Sequence, residues 1–85
     1  MPFEIRIRKS AEKEFESLQN DIRRRVREAI ESLSEEPRPH GVRKLTGYSD
    51  AYRIRVGDYR VIYLIDDQVR IVSVRRIGHR RDIYR

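Results

Sequence analysis

Residues 53–60 read RIRVGDYR. The alternation puts Arg53 and Arg55 on one face of a strand and Ile54 and Val56 on the other. Gly57-Asp58 suits a two-residue loop, with glycine at the first turn position as a type II′ hairpin requires. Folded there, Val56 faces Tyr59, Arg55 faces Arg60 and Ile54 faces Val61. Like charges directly across a ladder are destabilising, so the Arg55–Arg60 pair needs a reason.

Working outward, the hairpin belongs to a run of three strands, about 51–56, 59–65 and 69–76, with Asp66-Asp67-Gln68 as the second turn. Tyr52, Ile54, Val56, Tyr59, Val61 and Tyr63 form one face, which is expected to lie under helices. Arg53, Arg55 and Arg60 point the other way. The last strand runs through RRIG into the tail HRRDIYR.

Upstream, FEIRIR (3–8) alternates and reads as a half-buried strand. Ser10 is the expected N-cap of a short helix to about Leu18, with Glu12 in its first turn and Ala11, Phe15 and Leu18 on one face. QND breaks it. Asn20 or Asp21 then caps a second helix whose stripe is Ile22, Val26, Ile30 and Leu33, and Pro37 and Pro39 end that helix. Residues 37–50, PRPHGVRKLTGYSD, show no period; a connection of that length in a compact domain is often functional. The order β-α-α-β-β-β predicts a single α+β domain over 1–85, an αα-hairpin packed on a mainly antiparallel sheet.

Composition narrows the function. A chain of 85 residues buries only about two-thirds of its unfolded surface. Hydrophobic residues make up 38% and charged residues 40%, so a compact core sits under a heavily charged surface. There is no cysteine, hence no disulfide framework and no thiolate metal site. Two histidines without a carboxylate cluster give a metal little to bind, and no cofactor is expected. The opening MPFEIRIRKS lacks an apolar run, which predicts a cytoplasmic protein with neither signal peptide nor membrane span.

Charge is unevenly distributed. Residues 1–36 carry 8 basic and 9 acidic side chains, net −1; residues 37–85 carry 12 and 5, net +7. Seventeen of the 20 basic residues are arginine, suited to bidentate contact with phosphate. A basic half on a small domain points to a polyanion, most often nucleic acid; the alternative is a solvated surface.

The run RKLTG…AYRIRVGDYRVIYLIDDQVRIVSVRRIGHRRDIYR resembles the RelE group of the RelE/ParE toxin superfamily, and FEIRIRKSAEKEFESL fits the first strand and helix of that group. The most specific parts are YRIRVGDYRVIY and IGHRRDIY. The resemblance implies the toxin of a type II toxin–antitoxin pair, with a RelE-like microbial RNase-type fold. It implies an mRNA endoribonuclease that enters the ribosomal A site and works without metal. The ribose 2′-oxygen attacks the adjacent phosphate, giving a 2′,3′-cyclic phosphate and a free 5′-hydroxyl. It also implies a RelB-like antitoxin partner, and contact with operator DNA only through the antitoxin complex.

By the same resemblance Arg60 holds the scissile phosphate and Arg80 makes a second phosphate contact. A phosphate between Arg55 and Arg60 would make their proximity tolerable; the other reading is that both splay into solvent or pair with Asp58 or Asp82. Arg53 and Arg55 stand where the best-known members have lysines, and arginine is a poor general base because it is always protonated. His79 is the expected base or acid, although a histidine taken alone is more commonly a capping or surface residue. Tyr84 matches the family's C-terminal tyrosine and would stack on a base or bond near the leaving oxygen, unless it is only a tail residue. Lys44 is an RNA contact, a substitute base or a solvated lysine. Arg53, Arg55 and Arg81 are further RNA-binding candidates. Arg23, Arg24, Arg27, Arg38 and Arg43 are candidates for ribosomal RNA backbone contacts. His40, between prolines and a glycine, has no evident partner.

Two other functions share this fold. One is a ParE-like poison of DNA gyrase without RNase activity, a branch that generally lacks the arginine, histidine and tyrosine set. The other is a binding module that has lost its chemistry.

Overall fold

The computed structural model describes residues 2–83. The elements are β1 (Glu4–Ile7), α1 (Lys9–Glu16), α2 (Asn20–Ser32), β2 (Arg43–Lys44), β3 (Ala51–Val56), β4 (Tyr59–Asp66) and β5 (Ile71–His79). They form one five-stranded sheet in the order β1-β5-β4-β3-β2. Only β1–β5 is parallel; the other pairings are antiparallel. The hairpin folds as its sequence dictates, with Val56 opposite Tyr59, Arg55 opposite Arg60 and Ile54 opposite Val61. Gly57 sits at φ +60, the left-handed value a II′ turn needs at its first position.

One core lies between the helices and a single sheet face. Ala11 of α1 and Val26, Ile30 and Leu33 of the α2 stripe pack with Ile54, Val56, Val61, Tyr63, Ile65, Val72, Val74 and Ile77. Tyr52 is only half-buried, stacked on Tyr63 with ring centroids 6.1 Å apart. Tyr59 is likewise half-buried and meets the His79 ring edge-on at 5.4 Å.

Both expected N-caps are corrected. Helix α1 starts two residues early, at Lys9, with Arg8 in the cap position and no side-chain cap bond. The cause is the strand before it: the Arg8 N–H is held by the Val74 carbonyl at 3.0 Å, so the chain must turn into helix at once. In α2 the cap position falls on Gln19, and the Asn20 side chain accepts from the Arg23 guanidinium instead of capping. Helix α2 also ends before the prolines, at Ser32.

The segment 37–50 is tethered along its length. The buried Tyr63 hydroxyl donates to the Pro37 carbonyl at 2.7 Å. Arg38 donates from both terminal guanidinium nitrogens to Asp67, at 3.2 and 2.8 Å, and lies over the Tyr52 ring at 5.1 Å. These bonds hold the Asp67 carboxyl below its usual range, while burial pushes the Tyr63 phenol upward. The segment then supplies the two-residue β2, Arg43 opposite Arg53 and Lys44 opposite Tyr52, an edge strand too short to show a period.

β5 is longer than its alternation predicts because a bulge resets it. Ile62 pairs with Arg76 while Tyr63 pairs with Val74, leaving Arg75 as the extra residue. Without it, strict alternation from Val72 and Val74 would drive Arg76 into the core; with it, Ile77 goes in at 1% exposure. β1 reaches only to Val74. Beyond that point a carboxylate stands in for the missing strand: Glu14 of α1 accepts from the Ile77 N–H at 2.9 Å and from Arg76 Nε at 3.3 Å.

Candidate functional site

The sheet's β2 edge and the second half of α2 bound an open cleft of about 520 Å³. Arg53 and Arg55 of β3, Arg60 of β4 and Arg43 of β2 line it, with His40 on the preceding loop and Ala29 and Ser32 of α2. Each arginine is delivered by register. Arg43 pairs with Arg53, and Arg55 pairs with Arg60, so two like-charged cross-strand pairs meet at one place. Among the described residues that line the cleft there is no carboxylate. Fixed cations in a partly enclosed hollow concentrate positive potential there and attract anions.

Two of these arginines lean on backbone oxygens. Arg60 Nη1 donates to the Tyr59 carbonyl at 3.2 Å, and Arg55 Nε reaches the Gly57 carbonyl at 3.5 Å. Arg53 and Arg60 are half-buried and Arg55 is exposed. Arg25 of α2 reaches the same hairpin turn, its Nη1 3.4 Å from where a Gly57 Cβ would stand.

The residues expected from the C-terminal motif gather one strand further on. Arg60 has Gly78 as its Cα partner, which sets His79 beside it in β5. The Arg80 N–H donates to the Asp58 carbonyl at 2.8 Å, and its Nε stands 3.9 Å from the Asp58 carboxylate. His79 organises the turn that follows: its Nδ1 accepts from the Arg81 N–H at 3.2 Å, and its carbonyl from Asp82 and Ile83 at 2.9 and 3.1 Å. Ile83 then folds back to 2% exposure against Gly78, its carbonyl held by Arg76 at 3.0 Å.

Arg53, Arg55 and Arg60 therefore come together in the cleft, and His79, Arg80 and Arg81 form a neighbouring group at the hairpin end. Lys44 lies exposed on β2 opposite Tyr52 and does not line the cleft. Tyr84 lies outside the described residues. Arg38 is committed to Asp67 and Tyr52. His40 is the lining residue that sequence reasoning left without a role. The pairing of β2 with β3, which brings its loop alongside the arginines, was invisible in a two-residue strand. Among the described residues no group of three or more histidine, cysteine, aspartate or glutamate side chains is placed to hold a metal. Nor is any helix long and apolar enough to cross a membrane.

Comparison with known proteins identifies the family and matches the fold. The family described as "ParE toxin of type II toxin-antitoxin system, parDE" matches residues 5–84. The toxin RelG of Mycobacterium tuberculosis is 35% identical over 86 residues, spanning 100% of this chain and 99% of that one. Among solved structures, an archaeal RelE–RelB complex from Pyrococcus horikoshii OT3 superposes with a TM-score of 0.84 at 34% identity, covering 94% of this chain and 97% of the other. The toxin–antitoxin complex RelBE2 of M. tuberculosis gives a TM-score of 0.81 at 28% identity, covering 93% and 99%. The chain belongs to the RelE/ParE superfamily of type II toxin–antitoxin toxins and is RelE-like within it.

Proposed function

We propose that this toxin is a ribosome-dependent, metal-independent mRNA endoribonuclease acting in the cytoplasm. It cleaves in the A site by 2′-hydroxyl attack on the adjacent phosphate and so inhibits translation. The observation that carries this reading is the convergence of Arg43, Arg53, Arg55 and Arg60 on one cleft with no carboxylate among its described lining residues. A pentacoordinate phosphate gathers negative charge in the transition state, and preorganised cations aimed at it are typically the largest single source of acceleration.

In this reading Arg60 grips the scissile phosphate, with Arg53 and Arg55 alongside. Arg80 contributes a second contact from the C-terminal group, leaving its long-range pairing with Asp58, and Arg81 adds affinity for the RNA backbone. His79 transfers a proton on the leaving-oxygen side. Tyr84 stacks on a base or bonds near that oxygen, and Lys44 meets the RNA backbone. The like-charged Arg55–Arg60 pair is then the cost of a phosphate site. A RelB-like antitoxin neutralises the toxin, supported by relatives solved as complexes with RelB. Operator DNA is reached only through that complex.

The test is primer extension on a defined mRNA in programmed 70S ribosomes, wild type beside Arg60→Ala. Wild-type cuts confined to the A-site codon and lost in the variant are expected. An intact mRNA with a folded, growth-inhibiting protein would discard the ribonuclease and turn attention to gyrase.

A further inference from the structure

The arginine cleft can bind and polarise a phosphate, yet none of its arginines can accept a proton, since guanidinium stays charged across the working pH range. A nucleophilic 2′-hydroxyl must nevertheless lose one. Among the described lining residues the only side chain of a type suited to taking up a proton near neutral pH is His40.

Its backbone is built to present it. Pro39, His40, Gly41 and Val42 form a β-turn closed by the Val42 N–H on the Pro39 carbonyl at 3.0 Å. Gly41 has φ +88, the value that a type II turn demands at its third position. His40 therefore stands at the second position, the projecting corner. Val42, at the turn's far end, packs against the core, and the chain passes directly into β2. The imidazole is exposed, and among the described residues nothing hydrogen-bonds to it. His79 differs: its Nδ1 is occupied by the Arg81 N–H and its ring packs edge-on against Tyr59.

We propose that His40 is the general base of this cleft, taking the proton from the attacking 2′-hydroxyl; the assignment rests on the ribonuclease reading above. In the step, the neutral imidazole accepts the O2′ proton as the O2′–P bond forms. The P–O5′ bond breaks with its electron pair on O5′, which takes a proton from His79 or from water. The imidazolium then returns its proton to solvent, so protons balance and no oxidant, reductant or metal is needed. The charged and polar groups that line the cleft together with the imidazole are Arg43, Arg53, Arg55, Arg60 and Ser32.

The experiment is single-turnover cleavage of A-site mRNA in programmed ribosomes across pH 5–8, comparing wild type, His40→Gln, His79→Gln and Arg60→Ala. Binding to ribosomes carrying mRNA with a 2′-deoxy A-site codon is measured in parallel. His40→Gln is expected to lower the rate about 10²–10⁴-fold, the usual worth of positioned proton transfer, while binding is retained. Its residual rate should lose the rise with pH that wild type shows as an imidazole deprotonates. Cleavage by His40→Gln at the wild-type rate overturns the assignment. So does a slower rate that keeps the wild-type pH rise, which would mark a residue that merely shapes the loop. Wild-type protein that leaves mRNA intact removes the ribonuclease reading and this inference together. That result is separable from the first two, in which wild type cuts and only the role of His40 fails.

Discussion

Replacing Glu14 by alanine should cost this small fold more than a half-exposed acidic residue ordinarily would. The carboxylate does two jobs where β5 outruns β1: it pairs the Ile77 N–H at 2.9 Å and it meets Arg76 Nε at 3.3 Å. Stranding a part-buried backbone donor costs about 1–3 kcal/mol, and some solvent access favours the lower half of that range. The ion pair, with its side chains 40% and 30% exposed, adds less than about 1 kcal/mol. Alanine recovers a few tenths of a kcal/mol of helix propensity. The net expectation is a loss of about 2 kcal/mol, which for a domain of this size is a fall in Tm of about 8–16 °C. Thermal unfolding followed by circular dichroism at pH 7 reads it. Glu14→Gln keeps an oxygen for the Ile77 N–H and gives up only the half-exposed contact with Arg76, so it should lose about 1 kcal/mol or less. Amide exchange at Ile77 should accelerate in the alanine variant alone. If alanine changes stability by less than about 0.5 kcal/mol, or glutamine is as harmful as alanine, the carboxylate is not replacing a strand.

Tyr63 gives the protein an alkaline limit. Burial raises its phenol above the ordinary value, so the stability it contributes is complete below about pH 10 and declines as pH rises toward the folded-state value. Tyr63→Phe should flatten that decline in a urea midpoint-against-pH series, while losing about 1–3 kcal/mol at neutral pH from the stranded Pro37 carbonyl. A wild-type slope preserved in the phenylalanine variant would assign the alkaline limit elsewhere. Gly57→Ala should cost about 1–2 kcal/mol because φ +60 is strained for a Cβ-bearing residue. Gly57→Asn should cost less, and equal denaturation midpoints for the two would argue against backbone strain as the cause.

The hairpin was legible because alternation and a Gly-Asp turn agree, and the register it implied is the register found. The helix stripes were legible for the same reason: Val26, Ile30 and Leu33 recur at helical spacing and are all buried. What failed to show was set by tertiary demand. Ser10 and Asn20 have cap chemistry, but neighbouring strand and helix contacts fix where each helix starts. β2 exists only because Arg43 and Lys44 find β3. The bulge at Arg75 hides in a pair of adjacent arginines, which reads as the end of a strand until the core on either side is known. In the candidate site, Arg53, Arg55 and Arg60 sit on one face of the β3–β4 hairpin and could be grouped by period and turn alone. His40 could not, because its position depends on a loop turning back along the sheet edge.

The parallel pairing of β1 with β5 joins the first strand of the chain to the last. During synthesis β1 and both helices leave the ribosome first, with their apolar stripes unable to find the sheet. β3 and β4 can pair locally as they emerge, but β1 has no partner until Ile71–Val74 follows. Such long-range closure is entropically late. The group at His79 and Arg80 lies still further along. This toxin therefore reaches its working form only once β5 and the group at His79 and Arg80 have been made, and until then the elements already synthesised stand as an unfinished fold.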